Sequence, residues 1–99
     1  MSDTATATVT KTTIKLPSQW KVVMLNDDFT PMDFVVSVLI NVFDKTQEEA
    51  RELMLTIHNS GRAVVLVTTL EIARQKVDDT MKLASNYEFD KFKVIKEQA

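Results

Sequence analysis

The chain has 99 residues, a formal net charge of −2 and charged side chains at 26% of its positions. This length suits a single small domain, and the mixed charge lacks the basic face of a typical nucleic-acid-binding protein, so we expect no nucleic-acid partner. The sequence contains no cysteine, which excludes disulfides, thiolate metal sites and a cysteine nucleophile together. No segment approaches the roughly 20 apolar residues of a membrane-spanning helix, so no membrane association is expected.

Residues 1–17 are predicted to form a flexible N-terminal arm, and residues 18–99 a folded core. The arm is dominated by Thr, Ala and Ser, and such a composition buries too little apolar surface to offset the entropy of ordering. It has no basic cluster followed by an apolar run, so we expect no signal peptide and a cytoplasmic location. Two roles remain open for the arm: a tail without function, or a segment used in docking.

The first strand and the first helix are predicted on either side of a polar turn. Residues 20–25 are rich in β-branched and aromatic side chains and stop at Asn26-Asp27-Asp28, which predicts a strand that runs into a turn. In the segment that follows, Thr30 is predicted to cap a helix, with Pro31 at its first position and Asp33 closing a capping box. Apolar residues then recur at helical spacing, at Met32, Val35, Val38, Leu39 and Val42.

The remaining elements complete the fold prediction. Residues 46–49 form a second capping-box pattern, and the helix they start should end at Gly61, the only glycine, in a left-handed C-cap. Residues 63–67 are a continuous apolar run, which predicts a buried strand. A third helix and a closing strand at residues 92–96 follow. The order β-α-α-β-α-β predicts an α+β fold with a three-stranded antiparallel sheet packed against three helices.

His58, the only histidine, falls at the border of the apolar face of the second helix. Taken alone, His58 is best interpreted as a surface histidine without a role. Residues 26–28 are likewise best interpreted as an ordinary polar turn. The turn lacks the alternating carboxylates and central glycine of a calcium loop, and one histidine supplies too few ligands for a transition metal, so we expect no metal and no cofactor. A hydrolase built from His58, Asp27 and Ser60 has no supporting motif. We therefore expect a protein that is not an enzyme.

Four apolar residues beside the turn have two interpretations. Met32, Val35, Met54 and Ile57 are in the simpler view only the core between two helices. Methionine, however, adapts its shape at binding surfaces. An apolar cavity with hydrogen-bond acceptors on its rim would suit a ligand with a positive head and a hydrophobic body.

The segment from Asn26 to Val35 resembles the signature of the ClpS family, the adaptors that deliver N-degron substrates to the Clp protease. Residues 20–25 resemble the first strand of that family, and residues 53–63 and 69–77 its second and third sequence blocks. The resemblance runs from about residue 18 to the C-terminus in the same order and spacing. It implies the same β-α-α-β-α-β fold.

For function, the resemblance implies a non-enzymatic adaptor that binds the free α-amino group and a large hydrophobic first side chain (Leu, Phe, Tyr or Trp) of N-degron substrates. Asn26, Asp27 and His58 would bind the α-amino group. Met32 would exclude β-branched side chains from the pocket. The residues implied to enclose the pocket are Asp28, Thr30, Met32, Val35, Met54, Ile57 and Phe92.

The resemblance also implies partners. Glu71 and Lys76 match positions that contact the N-terminal domain of a ClpA- or ClpC-type AAA+ unfoldase, and the arm matches the segment that triggers substrate transfer. We expect the adaptor to be a monomer. Two alternatives stay open: a modulator that docks on the unfoldase without using the pocket, and a small hydrolase that uses His58.

Overall fold

The computed structural model describes residues 18–99, and the arm predicted for residues 1–17 lies outside them. Within residues 18–99 the chain forms three strands and three helices. In chain order they are β1 (Gln19–Leu25), α1 (Met32–Asn41), α2 (Gln47–Ser60), β2 (Arg62–Thr69), α3 (Leu70–Asn86) and β3 (Lys93–Gln98). The predicted element order and α+β fold class are confirmed. Among these described residues, no helix combines the length and the apolar character needed to cross a membrane.

The sheet is antiparallel and has β1 at its centre, in the order β2-β1-β3. Val22 and Met24 in the middle of β1 belong to the core under the helices. Val23 between them is fully buried as well, although it lies outside that core cluster. The register between β1 and β2 shifts between Val22 and Val23, so Val65 is an extra residue in β2. Such a bulge bends the strand locally.

The second strand is less buried than its apolar sequence predicts. Ala63 and Val65 face the core, but Val64 is 42% exposed and Val67 is 53% exposed. The prediction of a wholly buried strand is therefore wrong. The reason is that β2 lies at the edge of the sheet, and the helices cover only the face that carries Ala63, Val65 and, beyond the bulge, Leu66. An antiparallel sheet covered on one side leaves alternate side chains in contact with water.

The start of α1 also differs from the prediction. The helix begins at Met32 with Pro31 in the N-cap position, and no side chain caps it. The capping box predicted for Thr30 and Asp33 is therefore wrong. The Thr30 hydroxyl instead donates a hydrogen bond of 2.7 Å to Oδ2 of Asp27. An N-cap side chain would instead accept a hydrogen bond from a backbone N–H of the first helical turn. The strong hydrogen bond to a carboxylate holds the Thr30 hydroxyl on the turn.

The helix α2 has both predicted ends. Glu49 N–H donates to Oγ1 of Thr46 at 3.1 Å, and Thr46 N–H donates to Oε1 of Glu49 at 2.9 Å, which is a complete capping box. Gly61 ends the helix at φ 92°, and its N–H donates to the carbonyl of Ile57. The Gly61 carbonyl accepts a 2.9 Å hydrogen bond from Asn26 N–H. This glycine therefore joins the end of α2 to the turn that follows β1.

Candidate functional site

A cavity of about 140 Å³ opens where the end of β1, the start of α1 and the last turns of α2 meet. It is lined by Leu25, Asn26, Asp27, Asp28, Thr30, Met32, Val35, Met54, Ile57, His58 and Phe92. An apolar protein cavity of roughly 150 Å³ holds one benzene molecule, so this cavity has room for a single large side chain. All residues predicted for the α-amino site and for the hydrophobic pocket lie around it, and their roles in binding stay predictions.

The floor of the cavity is apolar and rigid. Val35 from α1, Ile57 from α2 and Phe92 are each at most 7% exposed. The Phe92 ring meets the Phe34 ring edge to face, with ring centroids 5.7 Å apart. Because Phe34 also packs edge to face on Phe89 at 4.8 Å, an aromatic cluster holds Phe92 in place. The floor therefore presents a fixed apolar surface to a ligand.

Two methionines flank this floor, one from each helix. Met32 is the first residue of α1, three positions before Val35, and it is 45% exposed. Met54 is half-buried and lies one helical turn before Ile57 in α2. An unbranched thioether side chain has several rotatable bonds and fills irregular space. These two side chains can therefore adjust the opening to ligands of different shape.

The rim of the cavity is polar, and the carboxylate of Asp27 organises it. One oxygen, Oδ1, accepts from the N–H groups of Phe29 and Thr30, each at 2.7 Å. The other, Oδ2, accepts from the Thr30 hydroxyl at 2.7 Å. Such side-chain hydrogen bonds to the following backbone fix a turn. A carboxylate has about four lone-pair positions, so Asp27 retains capacity for a further donor.

Asp27 is ionised at neutral pH. Partial burial raises the pKa of its carboxyl group. This effect is outweighed by the hydrogen bonds from Thr30 and Phe29 and by the positive charge of Lys91, so the pKa lies below its ordinary value. The rim therefore carries a fixed negative charge that attracts a cationic group.

The remaining rim residues come from two different segments. Asn26 and Asp28 are exposed in the turn after β1, and His58 is exposed near the end of α2. The hydrogen bond between Asn26 N–H and the Gly61 carbonyl holds these segments side by side. An amide oxygen, a carboxylate and an unprotonated imidazole nitrogen are all acceptors. Together they suit an ammonium group, which has three donors.

The geometry offers little for catalysis or metal binding. The observed hydrogen bonds of Asp27 go to Phe29 and Thr30 and do not orient His58 as a base. Within residues 18–99, no three His, Asp or Glu side chains are grouped in a way that could hold a metal ion. The arrangement fits ligand recognition better than bond cleavage.

The two residues predicted to contact an unfoldase lie on α3, away from the cavity. Glu71 is exposed in the first turn of the helix. Lys76 is half-buried, and its Nζ donates a 2.7 Å hydrogen bond to the carbonyl of Val42, the C-cap residue of α1. A cation at the C-terminus of a helix also interacts favourably with the helix dipole. Lys76 therefore has a structural contact that the sequence did not predict.

Fold and site together define a small α+β domain that has a cavity of side-chain size beneath an anionic rim. Residues 15–94 match the family described as ATP-dependent Clp protease adaptor protein ClpS. The adapter protein ClpS of Acetivibrio thermocellus is 48% identical over 80 residues, which cover 81% of each chain. That of Roseobacter denitrificans is 48% identical over 86 residues, 87% of this chain and 76% of the relative. The chain belongs to the ClpS family of Clp protease adaptors.

A solved structure shares the same fold. Agrobacterium tumefaciens ClpS2 bound to L-phenylalaninamide superimposes with a TM-score of 0.81 at 36% sequence identity, covering 85% of this chain and 100% of that chain. The resemblance to the ClpS family is thereby confirmed by sequence and by structure.

One residue of the cavity was not named from the sequence. Leu25 lines the cavity although it was predicted only as the end of the first strand. The available signal was its position directly before Asn26. Leu25 pairs with Arg62 and Lys93, so the end of β1 supports the cavity from within the sheet.

Proposed function

We propose that this protein is a non-enzymatic adaptor that binds the free α-amino group and the large hydrophobic first side chain (Leu, Phe, Tyr or Trp) of N-degron substrates and delivers them to a Clp unfoldase. The observation that carries this proposal is the pairing of an apolar cavity of side-chain size with the ionised carboxylate of Asp27 on its rim. L-Phenylalaninamide, the ligand of the similar ClpS2 structure, combines an ammonium group with one benzyl side chain. It has the chemistry of the first residue of a peptide.

The α-ammonium would be bound by the three acceptors of the rim. Asn26 and His58 would accept hydrogen bonds from it, and Asp27 would add negative potential directly or through a water molecule. Hydrogen bonds that involve a charged group contribute about 1.5–3 kcal/mol each. Acetylation of the amino group removes both its charge and two of its donors, so it should abolish this part of the binding energy.

The first side chain would enter the apolar floor between the helices. Val35, Met54, Ile57 and Phe92 would form the apolar walls around it. Met32, at the opening, would exclude side chains that branch at Cβ. A branch at Cβ lies next to the backbone of the ligand, so such a side chain is widest where it would enter the cavity. The Thr30 hydroxyl donates its hydrogen to Asp27, so towards a ligand it could act only as an acceptor. Asp28 would complete the rim.

Delivery would use a second surface, on α3. We assign docking on the N-terminal domain of a ClpA- or ClpC-type AAA+ unfoldase to Glu71 and Lys76. An ammonium group has three donors, and Lys76 uses one on Val42, so a partner carboxylate can still be bound. The proposal includes a cytoplasmic monomer and a role in delivery for residues 1–17.

Direct binding measurements test the proposal. Fluorescent peptides that begin with Leu or Phe should bind the full chain, and the same peptides with an acetylated N-terminus should not. L-Phenylalaninamide should compete, whereas 3-phenylpropanamide, which differs only in lacking the α-amino group, should not. Equal binding of free and acetylated peptides would refute α-amino recognition. Binding to an unfoldase N-terminal domain without any binding of peptides would instead support a modulator that does not use the cavity.

A further inference from the structure

Lys91 is the neighbour in sequence of a residue that lines the cavity. It directly precedes Phe92, whose ring forms part of the buried floor, while Lys91 itself is exposed. Residues 89–92 form a turn closed by a 3.2 Å hydrogen bond from Phe92 N–H to the Phe89 carbonyl. Because Phe92 is held by this turn and by its ring contact with Phe34, the backbone that carries Lys91 is held next to the floor of the cavity.

The charge of Lys91 acts on the carboxylate that would receive the ligand's head group. Its positive charge is among the causes that lower the pKa of Asp27, after the hydrogen bonds from Thr30 and Phe29. Lys91 is therefore a cation that acts on the rim, opposite in sign to Asp27 and Asp28. Lys91 is part of neither the predicted hydrophobic pocket nor the predicted α-amino site.

The residues that follow the first residue of a bound peptide would experience the positive charge of Lys91. Extended residues advance about 3.3 Å each, so the second and third side chains begin within about 10 Å of the α-ammonium. Once that ammonium neutralises Asp27, this carboxylate no longer offsets the charge of Lys91. The charge of the second and third residues then decides whether Lys91 helps or hinders binding.

We infer that Lys91 is a specificity-determining residue that favours ligands with Asp or Glu at the second or third position. The inference rests on the proposed function and adds the substrate class: N-degrons in which a large hydrophobic first residue is followed by an acidic one. Asp28 acts in the opposite direction. The role of Lys91 is therefore measured as a change in preference and not as an absolute affinity.

The inference is tested with three peptides that begin with Leu. They differ only at the second residue, which is Glu, Ala or Lys. Their Kd values are measured by fluorescence anisotropy with the full chain, at low salt and again at high salt. The variants are Lys91→Gln and Lys91→Glu. The matched control is Lys82→Gln, which removes the same charge from an exposed position on α3, a helix that contributes no residue to the cavity lining.

The ratio of the Kd for the Lys peptide to the Kd for the Glu peptide should fall about two- to five-fold in Lys91→Gln, the scale of an exposed charge pair. It should fall further in Lys91→Glu, stay unchanged in Lys82→Gln, and vary less between variants at high salt. The peptide with Ala should bind as well or slightly better in Lys91→Gln, because Asp27 loses a competing cation. An unchanged ratio in both Lys91 variants would overturn the inference. Failure of all three free peptides to bind would overturn the proposed function instead.

Discussion

Replacing Asp27 with Ala should destabilise the protein, because this carboxylate holds the turn before α1. The change removes the acceptor of three hydrogen bonds of 2.7 Å, from Phe29 N–H, Thr30 N–H and the Thr30 hydroxyl. At a net 0.5–1.5 kcal/mol each they would contribute about 1.5–4.5 kcal/mol. Asp27 is only partly buried, so water replaces part of the loss, and the lower end of this range, about 1.5 kcal/mol, is expected.

The expected change in melting temperature follows from the size of the domain. One kcal/mol corresponds to about 4–8 °C for a domain of 60–100 residues, so Asp27→Ala should lower Tm by about 6–12 °C at pH 7. Asp27→Asn should lower Tm by less than Asp27→Ala does. The Oδ1 of the asparagine can still accept from Phe29 and Thr30, and its Nδ2 can donate to the Thr30 hydroxyl. Circular dichroism during heating and urea titration both measure these differences. The same Asn variant should lose peptide affinity, because it removes the negative charge of the rim.

The pH dependence gives a second check with a definite sign. The pKa of Asp27 is lower in the folded chain than its ordinary value, so its ionised form stabilises the fold. That contribution is complete above the unfolded pKa of about 3.9 and is lost as the pH falls through the lower folded pKa. The Tm difference between wild type and Asp27→Ala should therefore be constant from about pH 7 to 5 and shrink below about pH 4. Equal Tm values at pH 7, or a difference that does not change in acid, would refute this account of the turn.

Three further predictions concern single positions. His58→Ala should weaken binding of a Leu-initiated peptide by about 1–3 kcal/mol, because the α-ammonium would lose one of its acceptors; unchanged affinity in calorimetry would contradict it. Thr80→Val should raise the free energy of unfolding, measured by urea titration, by about 1 kcal/mol, because the Thr80 hydroxyl is buried without a hydrogen-bond partner. The control Thr80→Ser keeps the hydroxyl and should give no such increase. Gly61→Ala should lower the free energy of unfolding by about 1–2 kcal/mol, because alanine is strained at the left-handed φ of this position. No atom lies close enough to crowd the new Cβ, so an unchanged Tm would contradict the prediction.

Much of the fold could be predicted because its signals act over a few residues. The capping box of Thr46 and Glu49 and the left-handed Gly61 are contacts between near neighbours in sequence, and apolar spacing distinguishes helix from strand. These features set the element order β-α-α-β-α-β. The polar turn, His58 and four apolar residues beside them were singled out from the sequence itself. Their binding roles, and the place of Phe92 in the pocket, came from the resemblance to the ClpS family, which the comparisons confirm as the family of this chain. Their binding roles remain predictions.

The sequence by itself determined which segments become helices and strands, since hydrogen bonds between near neighbours and local periodicity decide this. Only the tertiary structure decided how groups distant in sequence share partners and solvent. It placed β2 at an edge, which exposes Val64 and Val67, and it gave Lys76 a carbonyl of α1 as its partner. It also joined Asn26 to Gly61, which brings the turn and the end of α2 to one cavity. Burial and long-range pairing depend on the packed arrangement of all elements, and no window of sequence contains that information.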